Sequence, residues 1–299
     1  MKIAVTGATS FIGKAFIDAV SKKGFDIIAV VRHNSPKASD LKSIKGVSVL
    51  ELNMDEYGTL GEKTGALDCL VHFAWDGTRG SDRMDREKQK KNYELSVALL
   101  KSVLKAGCKR VLTAGSQAEY GPVSGVITEE TECAPNTEYG IYKYELFKTA
   151  GKLCAEAGAS HKEPRFFSLY GPGDFEKTLI MSMIDNMKND RTCELTECVQ
   201  MWDFLFVKDA VEAVASLCEK DCADGAYNLG SGDVRKLRAY VEELYSIIGS
   251  KSELLYGAVP YPSTGMVSIT PSVEKTKREL GWSPKYSFEQ GIREILAEK

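Results

Sequence analysis

Along the first half of the chain, short continuous apolar runs alternate with longer stretches in which apolar residues recur every three to four positions. "KIAVT" (2–6), "FDIIAVV" (25–31), "VSVLEL" (47–52), "DCLVHFA" (68–74) and "KRVLTAG" (109–115) each read as a strand, and residues 164–170 extend again. Phe11, Ile12, Ala15, Phe16, Ala19 and Val20 lie on one helical face, predicting a helix over about 11–23. A second helix is expected over about 85–106, stopping before Gly107, and a third over about 137–157, stopping at Gly158. Strands that are apolar throughout must be covered on both faces. With strand–helix–strand order, that means a parallel sheet between two helix layers. After about residue 170 the pattern breaks into shorter pieces with Gly and Pro, as suits a smaller lobe. The α/β unit is placed at 1–171 with 204–225 returning to it, and a substrate-binding lobe at 172–203 and 226–299.

Composition narrows the range of functions. The chain has 299 residues, 43% of them hydrophobic and 27% charged, with a formal net charge of −3. A near-neutral chain has no overall basic field to hold nucleic acid. Eight cysteines form no C-x-x-C pair, and the three histidines, His33, His72 and His161, lie near no cysteine pair. No metal site is expected from such spacing, and scattered thiols suit a reducing compartment. The chain opens directly in a strand, and no apolar run reaches the ~18 residues that span a bilayer. A cytoplasmic protein with no membrane partner is the expectation.

The first strand runs into "TGATSFIG", with Gly7 and Gly13 flanking the start of the helix. Glycine lets the backbone turn tightly and approach a pyrophosphate, while the helix N-terminus offers N–H groups and its positive dipole end. In this strand–turn–helix setting the pattern points to a dinucleotide site and a Rossmann-like sheet. Ser10 stands where a middle glycine is usual. At the end of the second strand Arg32 occupies the place of the acid that would bind an adenosine ribose. A guanidinium matches a phosphate in charge and geometry, so NADP is preferred over NAD, which stays possible.

Two Y-x-x-x-K matches occur, Tyr139/Lys143 and Tyr144/Lys148. Tyr139 lies early in a helix after a proline segment, 23 residues beyond Ser116. Four-residue spacing puts Tyr139 and Lys143 on one face, whereas Tyr144 is turned ~100° away from Lys143. A phenol is a weak base near neutrality, and a neighbouring ammonium lowers its pKa by favouring the phenolate. Ser116, at a strand end, can hydrogen-bond a substrate carbonyl. Ser116, Tyr139 and Lys143 are therefore the expected catalytic group for hydride transfer to or from a carbonyl.

Taken in order, "TGATSFIG", "LVHFAW", "KRVLTAGSQAEYG", "PNTEYGIYK", "PRFFSLYGPGD", "WDFLFVKDAVEAV", "YNLGSGD" and "LGWSPKYSFEQGI" resemble the extended short-chain dehydrogenase/reductase family of nucleotide-sugar epimerases, dehydratases and 4-ketoreductases. The resemblance implies a cofactor site formed by Gly7, Thr9, Ser10, Phe11, Ile12, Gly13 and Arg32, with Asn53 and Met54 by the adenine. Phe73 and Ala74 would line the cofactor, Phe166 and Ser168 would lie near the nicotinamide amide, and Tyr139 and Lys143 would also touch it. It implies a homodimer through the helices at 85–106 and 137–157, and a nucleotide sugar as small-molecule substrate.

Within that family "GSQAEYG" and "YGAVPY" look most like reductases that make 6-deoxy sugars. The Thr-Asp-Glu set usual in dehydratases is replaced by Ser116-Gln117-Ala118-Glu119. The substrate end departs from the pattern. Trp202 precedes Asp203-Phe204 where the family has an arginine, and Pro262, Ser263, Thr264 and Gly265 follow "YGAVPY" where an arginine and an acid are common. Gln117, Lys177 and Trp202 are the candidate substrate contacts. A 4-ketoreductase is the leading expectation. An NAD-dependent 4-epimerase, a reductase of another carbonyl metabolite and a non-catalytic dinucleotide sensor are the alternatives.

Overall fold

A computed structural model gives the fold over residues 1–261 and 265–298. Pro262, Ser263 and Thr264, singled out above, lie outside the described residues. The chain runs β1 (Lys2–Thr6), α1 (Phe11–Val20), β2 (Asp26–Val31), α2 (Ala38–Lys42), β3 (Val47–Glu51), α3 (Leu60–Thr64), β4 (Cys69–His72), α4 (Arg86–Lys105), β5 (Arg110–Thr113), β6 (Gly115–Ser116), α5 (Glu138–Ala157) and β7 (Ser160–Phe166). It continues through β8 (Ser168–Tyr170), α6 (Leu179–Lys188), β9 (Cys193–Leu195), β10 (Met201–Trp202), β11 (Phe204–Phe206), α7 (Val207–Glu219) and β12 (Gly225–Leu229). Last come β13 (Arg235–Lys236), α8 (Leu237–Ile248), β14 (Leu254–Tyr256), α9 (Glu274–Leu280) and α10 (Phe288–Ala297).

The main sheet is parallel, in the order β12-β7-β5-β4-β1-β2-β3, with β6 pairing β7. The order reverses between β1 and β4, and such a reversal opens a crevice for ligands at the strand C-termini. One face buries Phe16, Ile17 and Val20 of α1 against Val211 and Val214 of α7. The other buries Leu99, Leu100 and Val103 of α4 with Leu146 and Ala150 of α5. A separate cluster joins Met183, Met187, Tyr240, Leu244, Phe288 and Ile292, from α6, α8 and α10. Among the described residues no helix is long and apolar enough to cross a membrane.

Three local departures from the sequence pattern have physical causes. The helix expected to residue 23 ends at Val20, because Ser21–Lys23 tighten into a 3₁₀ turn closed by left-handed Gly24 at φ 76°. The strand expected at 164–170 is two strands. β7 begins at Ser160 within a polar run that is nonetheless buried, and β8 leaves the main sheet to pair with β11. The expected lobe boundary at 225/226 falls inside β12, which extends the main sheet beside β7 as far as Leu229. Leu280 and Trp282 also pack on the α1–α7 side of the sheet, inside the segment assigned to the lobe.

Candidate active site

β6 carries Ser116 beside Phe166 of β7 and then turns into a one-turn 3₁₀ helix. That turn is fixed by a reciprocal cap. The Ser116 N–H donates to Glu119 Oε1 at 2.7 Å, and the Ser116 Oγ accepts from the Ala118 N–H at 3.2 Å. α5 starts with Thr137 as its cap, whose hydroxyl accepts from the Gly140 N–H at 3.1 Å. The first and second turns of α5 then place Tyr139 and Lys143 beside Ser116, all three buried at 8%, 4% and 9% exposure respectively. Lys148 is exposed and pairs with Glu145, so the second Y-x-x-x-K match looks to solvent.

Burial raises the Tyr139 pKa above its ordinary value. Arg83, with its guanidinium carbon 4.4 Å from the ring centroid, works against that rise, as does a hydrogen bond with Ser116. The carboxyls of Glu119 and Glu163 add to it. The same burial pulls Lys143 down to about 8. Its ammonium donates to the Ala114 carbonyl at 2.8 Å and sits 3.9 Å from the Trp75 ring, against 5.8 Å from that of Tyr139. Two cations thus stand near the phenol: Arg83 over its ring, and Lys143 farther off, turned toward the indole and a backbone carbonyl.

Beneath Ser116 lies a buried charge cluster that periodicity did not find. Arg165, 1% exposed, reaches Glu163 Oε1 through Nε at 3.0 Å and Glu119 Oε2 through Nη2 at 3.0 Å. The second contact lacks hydrogen-bond alignment, and among the described residues Glu119 Oε2 has no hydrogen-bond donor. Burial and the neighbouring Glu119 carboxyl push the Glu163 pKa well up. One arginine thus serves two carboxyls, and burial beside Glu119 favours the protonated form of Glu163. His72 is neutral, pulled down to about 3 by burial and held by Thr6 at 2.7 Å and Ser96 at 2.8 Å. His161, pulled to about 4 by burial, bonds Thr113 at 2.8 Å.

At the head of α1 both glycines are obligatory. Gly7 is left-handed at φ 66°, and a Cβ there would lie 2.8 Å from the Ala74 nitrogen. A Cβ on Gly13 would lie 2.1 Å from the Gly7 carbonyl oxygen. Ser10 needs no glycine, since its φ is −72°. Its hydroxyl caps the helix by accepting from the Gly13 N–H at 3.1 Å, and the first-turn N–H groups of Phe11 and Ile12 have no intrahelical partner. This cradle of glycine, close backbone and helix N-terminus fits a dinucleotide pyrophosphate.

The other expected contacts are placed as follows. Ala74 follows β4 at the crevice, whereas the Phe73 ring turns into the core, edge-on to Phe16 at 5.6 Å. Arg32 is exposed at the end of β2. Asn53 Oδ1 accepts from the His33 N–H at 3.2 Å, and Met54 is half-buried next to it. Phe166 and Ser168 are half-buried on either side of the β7–β8 break, and Gln117 is half-buried after Ser116. Lys177 is exposed in the segment before α6. Trp202 packs against Phe204 at 6.3 Å, its buried indole N–H unpartnered, and Asp203 accepts from the Ser231 and Gly232 N–H groups at 2.7 Å each. Sequence reading missed Trp75 and Arg83. They stand in an aperiodic segment after β4, where no spacing rule marks a site.

Comparison with known proteins agrees with this geometry. The model of the NAD dependent epimerase/dehydratase family matches residues 3–230. CDP-abequose synthase of Salmonella muenchen is 24% identical over 100% of this chain and 98% of its own length. dTDP-6-deoxy-L-talose 4-dehydrogenase (NAD(+)) of Aggregatibacter actinomycetemcomitans is 24% identical over 90% of this chain and 98% of its own. Among solved structures, UDP-glucose 4-epimerase of Thermotoga maritima, with UDP-glucose, superposes with a TM-score of 0.89 at 22% identity, covering 99% of this chain and 97% of that one. The fold, the Gly7–Gly13 cradle and the extent of the family match together make this chain an enzyme of the NAD dependent epimerase/dehydratase family, within the extended short-chain dehydrogenase/reductases.

Proposed function

We propose that this enzyme reduces the 4-keto group of a nucleotide-linked deoxysugar, with Tyr139 as proton donor. The carrying observation is the convergence of Ser116, Tyr139 and Lys143, each buried, at the C-terminal edge of the sheet beside the Gly7–Gly13 cradle. A bound reduced nicotinamide would supply the hydride to the carbonyl carbon. Ser116 Oγ donates a hydrogen bond to the carbonyl oxygen and holds it near the phenol. Tyr139 passes its proton to that oxygen as negative charge develops, completing the alcohol. Burial favours the protonated phenol, which suits a donor. Lys143 would hold the ribose side of the cofactor. Glu119 carries no acid–base task here because it is engaged by Ser116 and Arg165.

The cofactor site would comprise Gly7, Thr9, Ser10, Phe11, Ile12, Gly13, Arg32, Asn53, Met54, Ala74, Phe166 and Ser168, with Phe73 contributing through its backbone. Exposed Arg32 favours NADP, while the relative named for NAD(+) keeps NAD as the alternative. Residues 172–203 and 230–299 would close over the substrate, with Gln117, Lys177 and Trp202 in contact with it. A pair of copies would associate through α4 and α5, whose Tyr93, Val97, Ile141 and Tyr142 are only half-buried in the single chain. A monomeric mass in solution would remove that part of the proposal.

A 4-epimerase is the second reading, supported by the likeness to the Thermotoga structure. The experiment is NADPH and NADH consumption against CDP- and dTDP-4-keto-6-deoxyhexoses, with Tyr139→Phe as control. Oxidation that vanishes in the variant supports the ketoreductase. Interconversion of 4-epimers with no net cofactor consumption, by protein that carries NAD through purification, would replace it with the epimerase.

A further inference from the structure

The turn between β4 and α4 is built to a fixed shape. Gln89 of α4, fully buried, accepts from the Trp75 indole N–H at 2.7 Å and donates to the carbonyls of Gly77 and Asp82 at 2.8 Å each. Asn92, one turn on, accepts from the Asp76 N–H at 3.1 Å and donates to the Asp76 carbonyl at 2.8 Å. These five bonds bracket residues 75–82 against the helix. The next residue, Arg83, is half-buried and lays its guanidinium over the Tyr139 ring, 4.4 Å from the centroid. The Trp75 ring meets Tyr139 edge-on at 6.3 Å from the other end of the same turn.

We propose that Arg83 is a positioning residue for Tyr139, its guanidinium held over the phenol by the bracketed turn so that it favours the deprotonated oxygen and sets the pH range in which Tyr139 exchanges its proton. The inference rests on the reading of Tyr139 as the proton-transfer group. A cation on the face of a phenol is attracted to the ring and more strongly to the phenolate. The charges around Tyr139 come from every neighbouring element: Arg83 from the turn, Lys143 from α5, Glu119 after β6 and Glu163 from β7, with the Ser116 hydroxyl in addition. The two glutamates oppose the phenolate, and Lys143 is committed to Ala114 and Trp75. Of the two cations placed to offset burial, Arg83 is the nearer to the Tyr139 ring, at 4.4 Å against 5.8 Å. No spacing in the sequence marks it, because the relevant proximity is made by Gln89 and Asn92.

The test replaces Tyr139 with 3,5-difluorotyrosine, whose phenol titrates well below that of tyrosine, and follows its ¹⁹F shift against pH in the full chain. Arg83→Gln is expected to raise the midpoint by on the order of 1 unit, and Arg83→Lys, which keeps the charge, by clearly less. The pH profile of turnover should move in the same direction. A midpoint that Arg83→Gln leaves in place overturns the proposal. So does a raised KM with an unmoved midpoint, which would make Arg83 a grip on the substrate. The fluorine titration needs no turnover. Inactivity on 4-keto sugars with a shifted midpoint would therefore sink the ketoreductase reading and leave the role of Arg83 standing.

Discussion

Replacing Glu163 by Gln tests the buried cluster beside Ser116. In the folded chain Glu163 is 1% exposed, shares Arg165 with Glu119 and has its pKa raised by burial and by that neighbour. A neutral acid there accepts from Arg165 Nε at 3.0 Å and can direct its own proton toward the neighbouring Glu119 carboxyl. A glutamine amide can do both, so the fold should accept it. The difference appears with pH. Unfolded Glu163 ionises above about 4.3, whereas the folded side chain keeps its proton to much higher pH. A folded pKa above the unfolded one gives stability that is complete below the unfolded value and is lost as pH rises toward the folded value. Within that window the wild type loses ~1.4 kcal/mol per pH unit through this one group, and the Gln variant does not. Above the unfolded value the variant should therefore gain on the wild type as pH rises, by up to ~1.4 kcal/mol per unit until the folded carboxyl ionises. Urea unfolding of both proteins at several pH values reads this directly. Stability curves that run parallel would show that folded Glu163 is ionised, and the account of the cluster would fail. Arg165→Met should behave oppositely, losing about 3–5 kcal/mol by leaving the carboxyls without their cation.

Tyr139→Phe should lower kcat/KM for carbonyl reduction by ~10²–10⁴ while nicotinamide binding is retained, measured by turnover beside fluorescence titration. Loss of binding as well would mean that the phenol shapes the site and not the chemistry. Gly13→Ala puts a methyl group 2.1 Å from the Gly7 carbonyl oxygen, so dinucleotide affinity should fall by at least about tenfold along with melting temperature. Unchanged binding would disconnect the cradle from the cofactor. Arg32→Asp should reverse the preference between NADPH and NADH in kcat/KM, because a carboxylate repels a 2′-phosphate and accepts from a ribose hydroxyl. A ratio that stays put would show Arg32 to be solvated surface.

The sequence by itself determined the α/β layering, because apolar runs covered on both faces and joined by amphipathic helices admit few other arrangements. It determined the glycine cradle too: the space at Gly7 and Gly13 excludes any side chain, and that exclusion is written as residue type. The Tyr139–Lys143 pairing was legible because four residues make about one helical turn. What it could not carry were relations between distant segments. The polar run at 160–163 does not look like a strand, yet it forms much of one. Its charges find partners far along the chain, Glu163 and Arg165 against Glu119, and His161 against Thr113. The inward turn of the Phe73 ring, edge-on to Phe16, is likewise set by packing between separate segments. The placing of Arg83 over Tyr139 was decided by hydrogen bonds from α4 to a turn with no periodicity of its own. Periodicity records which face of an element is buried. Which charge comes to rest beside the Tyr139 phenol is settled by tertiary contacts, since electrostatic influence depends on distance through space and not along the chain.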